Sequence, residues 1–248
     1  MSIYGAGWRA GPTFMCLVVV AHRASDAYPL VIAANRDEDH SRPALPADFW
    51  LDDANILGGR DALAGGTWLA ITRAGRFAAI TNLRFAARAN APSRGMLVAS
   101  FLRSSLSPME YVNEVASRMD DYAGFHLICG VAGEGVAYVT NAERVAHEWT
   151  PGIHAVSNGT PDELWPKVAA GEAAMRAALA SDDLEGELLR FLRTNHGRTP
   201  DREAFVLNER WGTRSSTVIV ATPEEIRFTE QRWTRNGAAD GVSRFVIR

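Results

Sequence analysis

An α+β fold, with helices packed over antiparallel sheets, is what this sequence predicts. Three observations carry that prediction. Short runs rich in Val and Ile are separated by polar turns of hairpin length. Amphipathic stripes follow helix-capping signals. The elements arrive in blocks: strands, two helices, strands, two helices, strands. A chain of 248 residues with 47% hydrophobic residues has enough apolar material for a sizeable core.

The first hairpin organises the chain. Met15 to His22 and Leu30 to Ala34 are apolar runs joined by Arg-Ala-Ser-Asp-Ala-Tyr. In an antiparallel pair the start of one strand lies beside the end of the other. Cys16 therefore meets Asn35, Arg36, Asp37 and Glu38 at one sheet edge. The stretch 39–66 holds two Gly pairs and prolines with little periodic signal, and reads as a long loop of the kind that carries function. Residues 67–72 and 76–82 form a second hairpin. Apolar residues at 97, 98, 101 and 102 mark a helix over 93–104. Ser107-Pro-Met-Glu110 is a capping box opening a helix to about Asp121. Strands are expected at 125–131, 135–140, 146–150 and 153–157. Thr160-Pro-Asp-Glu163 reads as another capping box, with a helix to about Ala180, and Asp182-Asp-Leu-Glu185 opens one more to about Thr194. Residues 195–211 read as irregular, and strands at 216–221 and 226–234 close the chain.

Charge and composition exclude several classes. The net charge is −3, without the basic footprint of a nucleic-acid binder. No apolar run reaches the roughly 18 residues of a membrane span. Two cysteines, Cys16 and Cys129, do not make a disulfide framework. Cys129 lies in an apolar run and reads as a small buried hydrophobe. The six histidines show no metal-ligand spacing, so no metal and no resident cofactor are expected. The glycine pairs match no nucleotide-binding fingerprint. Residues 1–14 have no apolar stretch suited to a secretory signal, and a cytoplasmic location is expected. They read as an extension ahead of one domain at 15–248: either a start placed too early or a segment removed later.

Chemistry concentrates on a few residues. If Met15 is removed, Cys16 gains an α-amine that accepts the thiol proton; otherwise it is a buried strand cysteine. Arg36 and Asp37 either tune that thiol and its proton transfers or form a solvated ion pair. Asn82 and Asn158 each follow a strand, as oxyanion donors or as ordinary turn residues. Arg214, within Gly-Thr-Arg-Ser-Ser-Thr at 212–217, either grips an anion or belongs to a polar turn.

The same residues carry a resemblance. Met15-Cys16, Ala-Ala-Asn-Arg-Asp-Glu at 33–38, Ser-Arg-Pro at 41–43 and Gly-Gly-Thr-Trp-Leu at 65–69 run in order along the chain. Thr-Asn at 81–82, Ser-Asn-Gly at 157–159, Trp-Pro-Lys at 165–167 and Gly-Thr-Arg-Ser-Ser-Thr at 212–217 follow them. Together they resemble the NRDE family, also called the transport and Golgi organisation protein 2 family. The resemblance spans nearly all of 15–248. It implies a four-layer αββα fold like that of N-terminal nucleophile hydrolases, nearest to the choloylglycine hydrolase and penicillin V acylase group. In that likeness Cys16 resembles the nucleophile, and Arg36 and Asp37 the Arg and Asp after the second strand. Asn82 and Asn158 resemble its oxyanion and amine-orienting residues, and Arg214 its late Arg. Two functions are then expected as alternatives. One is a cysteine amidohydrolase acting on a small acylated substrate. The other is a binding or trafficking protein for haem or an acyl-lipid, with Cys16 or a His touching haem iron. The sequence leaves the oligomeric state open.

Overall fold

A computed structural model describes residues 15–83, 91–160, 163 and 165–248. The extension at 1–14 and the middle of the Thr160 motif, Pro161 and Asp162, lie outside the described residues. Strands β1 (Leu17–His22), β2 (Leu30–Asp39), β3 (Ala44–Trp50), β4 (Asp53–Asp61), β5 (Leu69–Thr72) and β6 (Arg76–Asn82) come first. Helices α1 (Gly95–Arg103) and α2 (Pro108–Ser117) follow, then β7 (Phe125–Val131), β8 (Val136–Thr140), β9 (Val145–Glu148) and β10 (Gly152–Val156). Helices α3 (Pro166–Leu179) and α4 (Leu184–Leu192) precede β11 (Trp211–Ala221), β12 (Ile226–Trp233) and β13 (Ala239–Ile247).

The strands form two antiparallel sheets. One has the order β10-β1-β2-β11-β12-β13 and the other β3-β4-β5-β6-β7-β8-β9. Three apolar layers hold the stack together. Val20, Ile32, Leu57, Phe77, Ile128 and Phe228 meet between the sheets. Phe101, Val112 and Leu127 are among those joining α1 and α2 to the second sheet. Leu17, Val31, Met175, Leu188 and Val218 join α3 and α4 to the first. The order of layers is α-β-β-α. Strand β1 is buried on both faces, its even positions toward the other sheet and its odd ones toward the helices. This is why it reads as a continuous apolar run.

Four expectations need correction. The expected loop over 39–66 is largely the β3–β4 hairpin. Its register shifts between Leu45 and Asp48 and again between Phe49 and Trp50. Bulges of this kind break the two-residue period that a strand pattern relies on. Helix α3 starts at Pro166, not near Thr160. The Thr160 carbonyl accepts from the Glu163 amide at 2.8 Å and closes a turn there, and Trp165 with Pro166 opens the helix. Strand β11 begins at Trp211, so the polar run 212–217 lies inside a strand. Strand β13 was not foreseen. It is an edge strand with most of its residues exposed, so it lacks an apolar face to announce it. No described helix is long and apolar enough to cross a membrane.

Candidate functional site

The β1–β2 register places Leu17 opposite Asn35, so Cys16 falls beside the residues that follow. The Asp37 amide donates to the Cys16 Sγ at 3.3 Å, and the thiol donates to the Asp37 carbonyl at 3.5 Å. Alternation along β2 then sorts its polar end. Arg36 extends the row of Leu30, Ile32 and Ala34 toward the other sheet and lies 4.4 Å above the Trp68 ring. Asn35 points to the helical layer. Its amide donates to the carbonyls of Leu192 at 2.7 Å and Ala204 at 2.6 Å, and its oxygen accepts from Ser216 Oγ at 2.6 Å. Asn35 is therefore a tie between sheet and helix.

Cys16, Arg36 and Asp37 line a cavity of about 470 Å³, with Glu38, Asp61, Asn82 and Arg94 also on its wall. Thr81 Oγ1 donates to the Ser157 carbonyl at 2.7 Å, and Ser157 Oγ donates to the Cys16 carbonyl at 2.6 Å. Through these bonds β6 and the turn after β10 fix the backbone of Cys16 from both sheets. The Asn158 amide donates to the Asn82 carbonyl. Asn158 is buried and supports Asn82 from behind, while its own Oδ1 has no partner. Arg214 is elsewhere. Its guanidinium donates to the carbonyls of Asp39, His40 and Arg42 at 3.1, 3.1 and 3.3 Å. It clamps the chain that leaves β2, and lines a neighbouring cavity of about 160 Å³ that shares only Arg36 and Trp68 with the first.

Electrostatics at the site follow from burial. Desolvation, with the Asp37 charge adding to it, pushes the Cys16 thiol up to about 12. With Met15 attached the thiol is protonated at neutral pH, and the thiol form is a poor nucleophile. Burial raises Asp37 to about 7, against the pull of Lys167, Thr213 and Arg36. Thr213 Oγ1 donates to Asp37 Oδ1 at 2.7 Å, and Asp37 Oδ2 has no partner.

Lys167 was missed as a site residue, although it stands in the Trp-Pro-Lys motif. It is fully buried in the first turn of α3, and its Nζ donates to the Met15 carbonyl, the carbonyl of the peptide bond to Cys16. Burial lowers its pKa, with Asp37 and Cys16 opposing. A buried ammonium needs such partners to stay charged. The Trp-Pro-Lys motif was the available signal, since charge alone does not separate Lys167 from Glu172 and Arg176 of the same helix. Arg94 was also missed, and no pattern in the sequence marks it. Among the described residues no group of His, Cys, Asp or Glu is arranged to hold a metal ion.

Comparisons agree with this architecture. The family model described as Transport and Golgi organisation 2 matches residues 15–235. The Transport and Golgi organization protein 2 homolog of Bos taurus is 35% identical over 242 residues, covering 84% of this chain and 88% of that one. The Homo sapiens homolog is 33% identical with the same coverage. The Drosophila melanogaster protein is 26% identical over 219 residues, covering 79% of this chain and 77% of that one. Two variants of conjugated bile acid hydrolase from Clostridium perfringens superpose with TM-scores of 0.53 and 0.52, each at 9% identity and each covering 93% of this chain. They cover 92% and 96% of those chains and share the fold, two antiparallel sheets between helical layers, as in N-terminal nucleophile hydrolases. By family model and by relatives alike, the chain belongs to the Transport and Golgi organisation 2 family.

Proposed function

We propose that this chain is a cysteine amidohydrolase, cleaving the C–N bond of a small acylated substrate once Cys16 has become the N-terminal residue. The observation that carries the reading is the Cys16 thiol held against the Asp37 backbone on the wall of a cavity, beside a buried carboxylate with one unpartnered oxygen. A free α-amine at Cys16 has a reference pKa of about 7.7–8.0 and takes the thiol proton. The thiolate then attacks the substrate carbonyl, the amine leaves with the proton from the α-ammonium, and water hydrolyses the thioester. The unpartnered Asp37 Oδ2 is an acceptor for that ammonium. Arg36, close enough to lower the thiol pKa, favours the thiolate. Asn82 is the oxyanion donor on the cavity wall, with its backbone carbonyl held by Asn158. Loss of one such donor costs on the order of 10²–10³ in rate. Arg214 acts at a distance, by holding the turn after β2.

The alternative, haem or acyl-lipid binding, has less support. Six side chains on the wall are ionisable Arg, Asp or Glu, which suits a polar substrate better than a hydrocarbon chain. Intact-mass analysis of protein from its native host, with amide turnover by native and Cys16→Ala protein, tests the reading. Active material beginning at Cys16 and loss of turnover in Cys16→Ala are expected. Active material that all retains Met1 would sink the mechanism. A Soret shift on haem titration that vanishes in Cys16→Ala would favour the alternative.

A further inference from the structure

Among the described residues, one guanidinium on the cavity wall has no carboxylate within ion-pair distance. Glu38 accepts from Arg36 at 3.3 Å and lies 3.7 Å from Arg42. Asp61 takes Arg42 at 2.6 Å and 2.9 Å, and also the amides of Leu63 and Ala64. Asp37 makes no ion pair among the described residues: burial lifts its pKa to about 7, and Lys167 is the strongest of the charges that oppose this. Arg94 remains. Its guanidinium donates to the Gly124 carbonyl at 2.7 Å, and among the described residues no carboxylate reaches it within ion-pair distance. Burial lowers its pKa to about 10, against the pull of the more distant Glu38 charge, so it is still charged at neutral pH.

Position adds to this. Arg94 opens α1, whose first turn holds no acidic residue and no side-chain cap, and Ser93, Arg94 and Gly95 all line the cavity. The positive end of the helix thus faces the same space. A guanidinium taken largely out of water is costly unless an anion pairs with it, and its planar fork matches a carboxylate. One guanidinium without a carboxylate partner fits one carboxylate.

We propose that the cavity takes a small amide whose acyl or amine part carries a single carboxylate, and that Arg94 binds that carboxylate. The amide part rests on the hydrolase reading; the carboxylate part does not. Binding is therefore measured on the full chain carrying Cys16→Ala, by isothermal titration at low salt. Hippurate and hippuramide place the charge, or its neutral counterpart, on the amine side. Glutaranilic acid and its carboxamide place it on the acyl side. At least one acid is expected to bind about tenfold or more tightly than its neutral partner, the range of a charge-assisted hydrogen bond. Added NaCl should weaken the acid and leave the amide unchanged. Arg94→Gln should remove the preference without weakening the neutral ligand, and Arg94→Lys should keep part of it. If Arg94→Gln fails to fold, the salt series and Arg94→Lys carry the test. Acids and carboxamides binding alike, neither acid binding at millimolar concentration, or a preference unchanged in Arg94→Gln would each overturn the proposal. Turnover by the native cysteine is scored separately. A preference for the acid without hydrolysis in material beginning at Cys16 sinks the hydrolase reading alone.

Discussion

Replacing Asp37 with Asn reads out the electrostatics of the cavity directly. Asp37 is 2% exposed, with Thr213 on one oxygen and no partner on the other. Its pKa rises from 3.8 to about 7, chiefly through desolvation. The folded chain therefore holds this proton more tightly than the unfolded chain does. Below about pH 4 both states are protonated and the favourable contribution is fully present. As pH rises from about 4 to about 7, the unfolded chain ionises first and stability falls. Three pKa units correspond to about 4 kcal/mol, and coupling to Lys167 makes a fall on the order of 2–4 kcal/mol the expectation. A side-chain amide cannot ionise, so Asp37→Asn lacks this decline. Urea unfolding, followed by tryptophan fluorescence from about pH 4 to about pH 8, gives stability for both proteins. The native-minus-variant difference should fall with pH across that window. A difference that is flat, or that rises with pH, refutes the reasoning.

Three further outcomes are expected. Asn35→Ala leaves two buried carbonyls without this donor, at about 1–3 kcal/mol for each orphaned group, while the Ser216 hydroxyl keeps the Trp233 indole N–H. A loss below about 1 kcal/mol in urea unfolding would contradict the role of Asn35 as a tie. At Gly66 an added Cβ would sit 2.4 Å from the Gly95 carbonyl carbon, so Gly66→Ala must push α1 away from the cavity. A stability loss of about 1–3 kcal/mol is expected by thermal melting, and an unchanged midpoint would show that the helix end is not pinned there. Finally, the Cys16 thiol, pushed up to about 12, should react slowly with iodoacetamide while Met15 is attached, at a rate still climbing above about pH 9. A rate that levels off below about pH 9, read by mass spectrometry on the unprocessed chain, would contradict that environment.

Particular residues show how far the sequence could be read. The first hairpin was legible because β1 and β2 are apolar on both faces, and the antiparallel rule brings Cys16 to Asp37. The α2 start was legible too. Ser107 accepts from the Glu110 amide at 3.3 Å, and Glu110 accepts from the Ser107 amide at 2.8 Å, as the capping box requires. The same pattern misled at Thr160, where Glu163 closes a turn and the helix waits for Pro166. A capping box is a local signal, and its residues hydrogen-bond as well in an isolated turn. The β3–β4 hairpin was hidden by its bulges, and β13 by its exposure.

By itself the sequence determined the order of strand and helix blocks, the αββα layering that its family motifs imply, and the meeting of Cys16 with the end of β2. These follow from periodicity, turn chemistry and strand register, all of which act within a short stretch of chain. Tertiary structure alone decided that Asn158 backs Asn82, that Arg214 clamps a turn outside the cavity, and that Lys167 reaches the Met15 carbonyl. It also set Arg94 in the cavity wall on the Gly124 carbonyl, with no carboxylate of the described residues within ion-pair distance. Each of these depends on the angle and distance at which two sheets and a helix end meet. Those are set by packing between residues far apart in the chain, which no local pattern encodes.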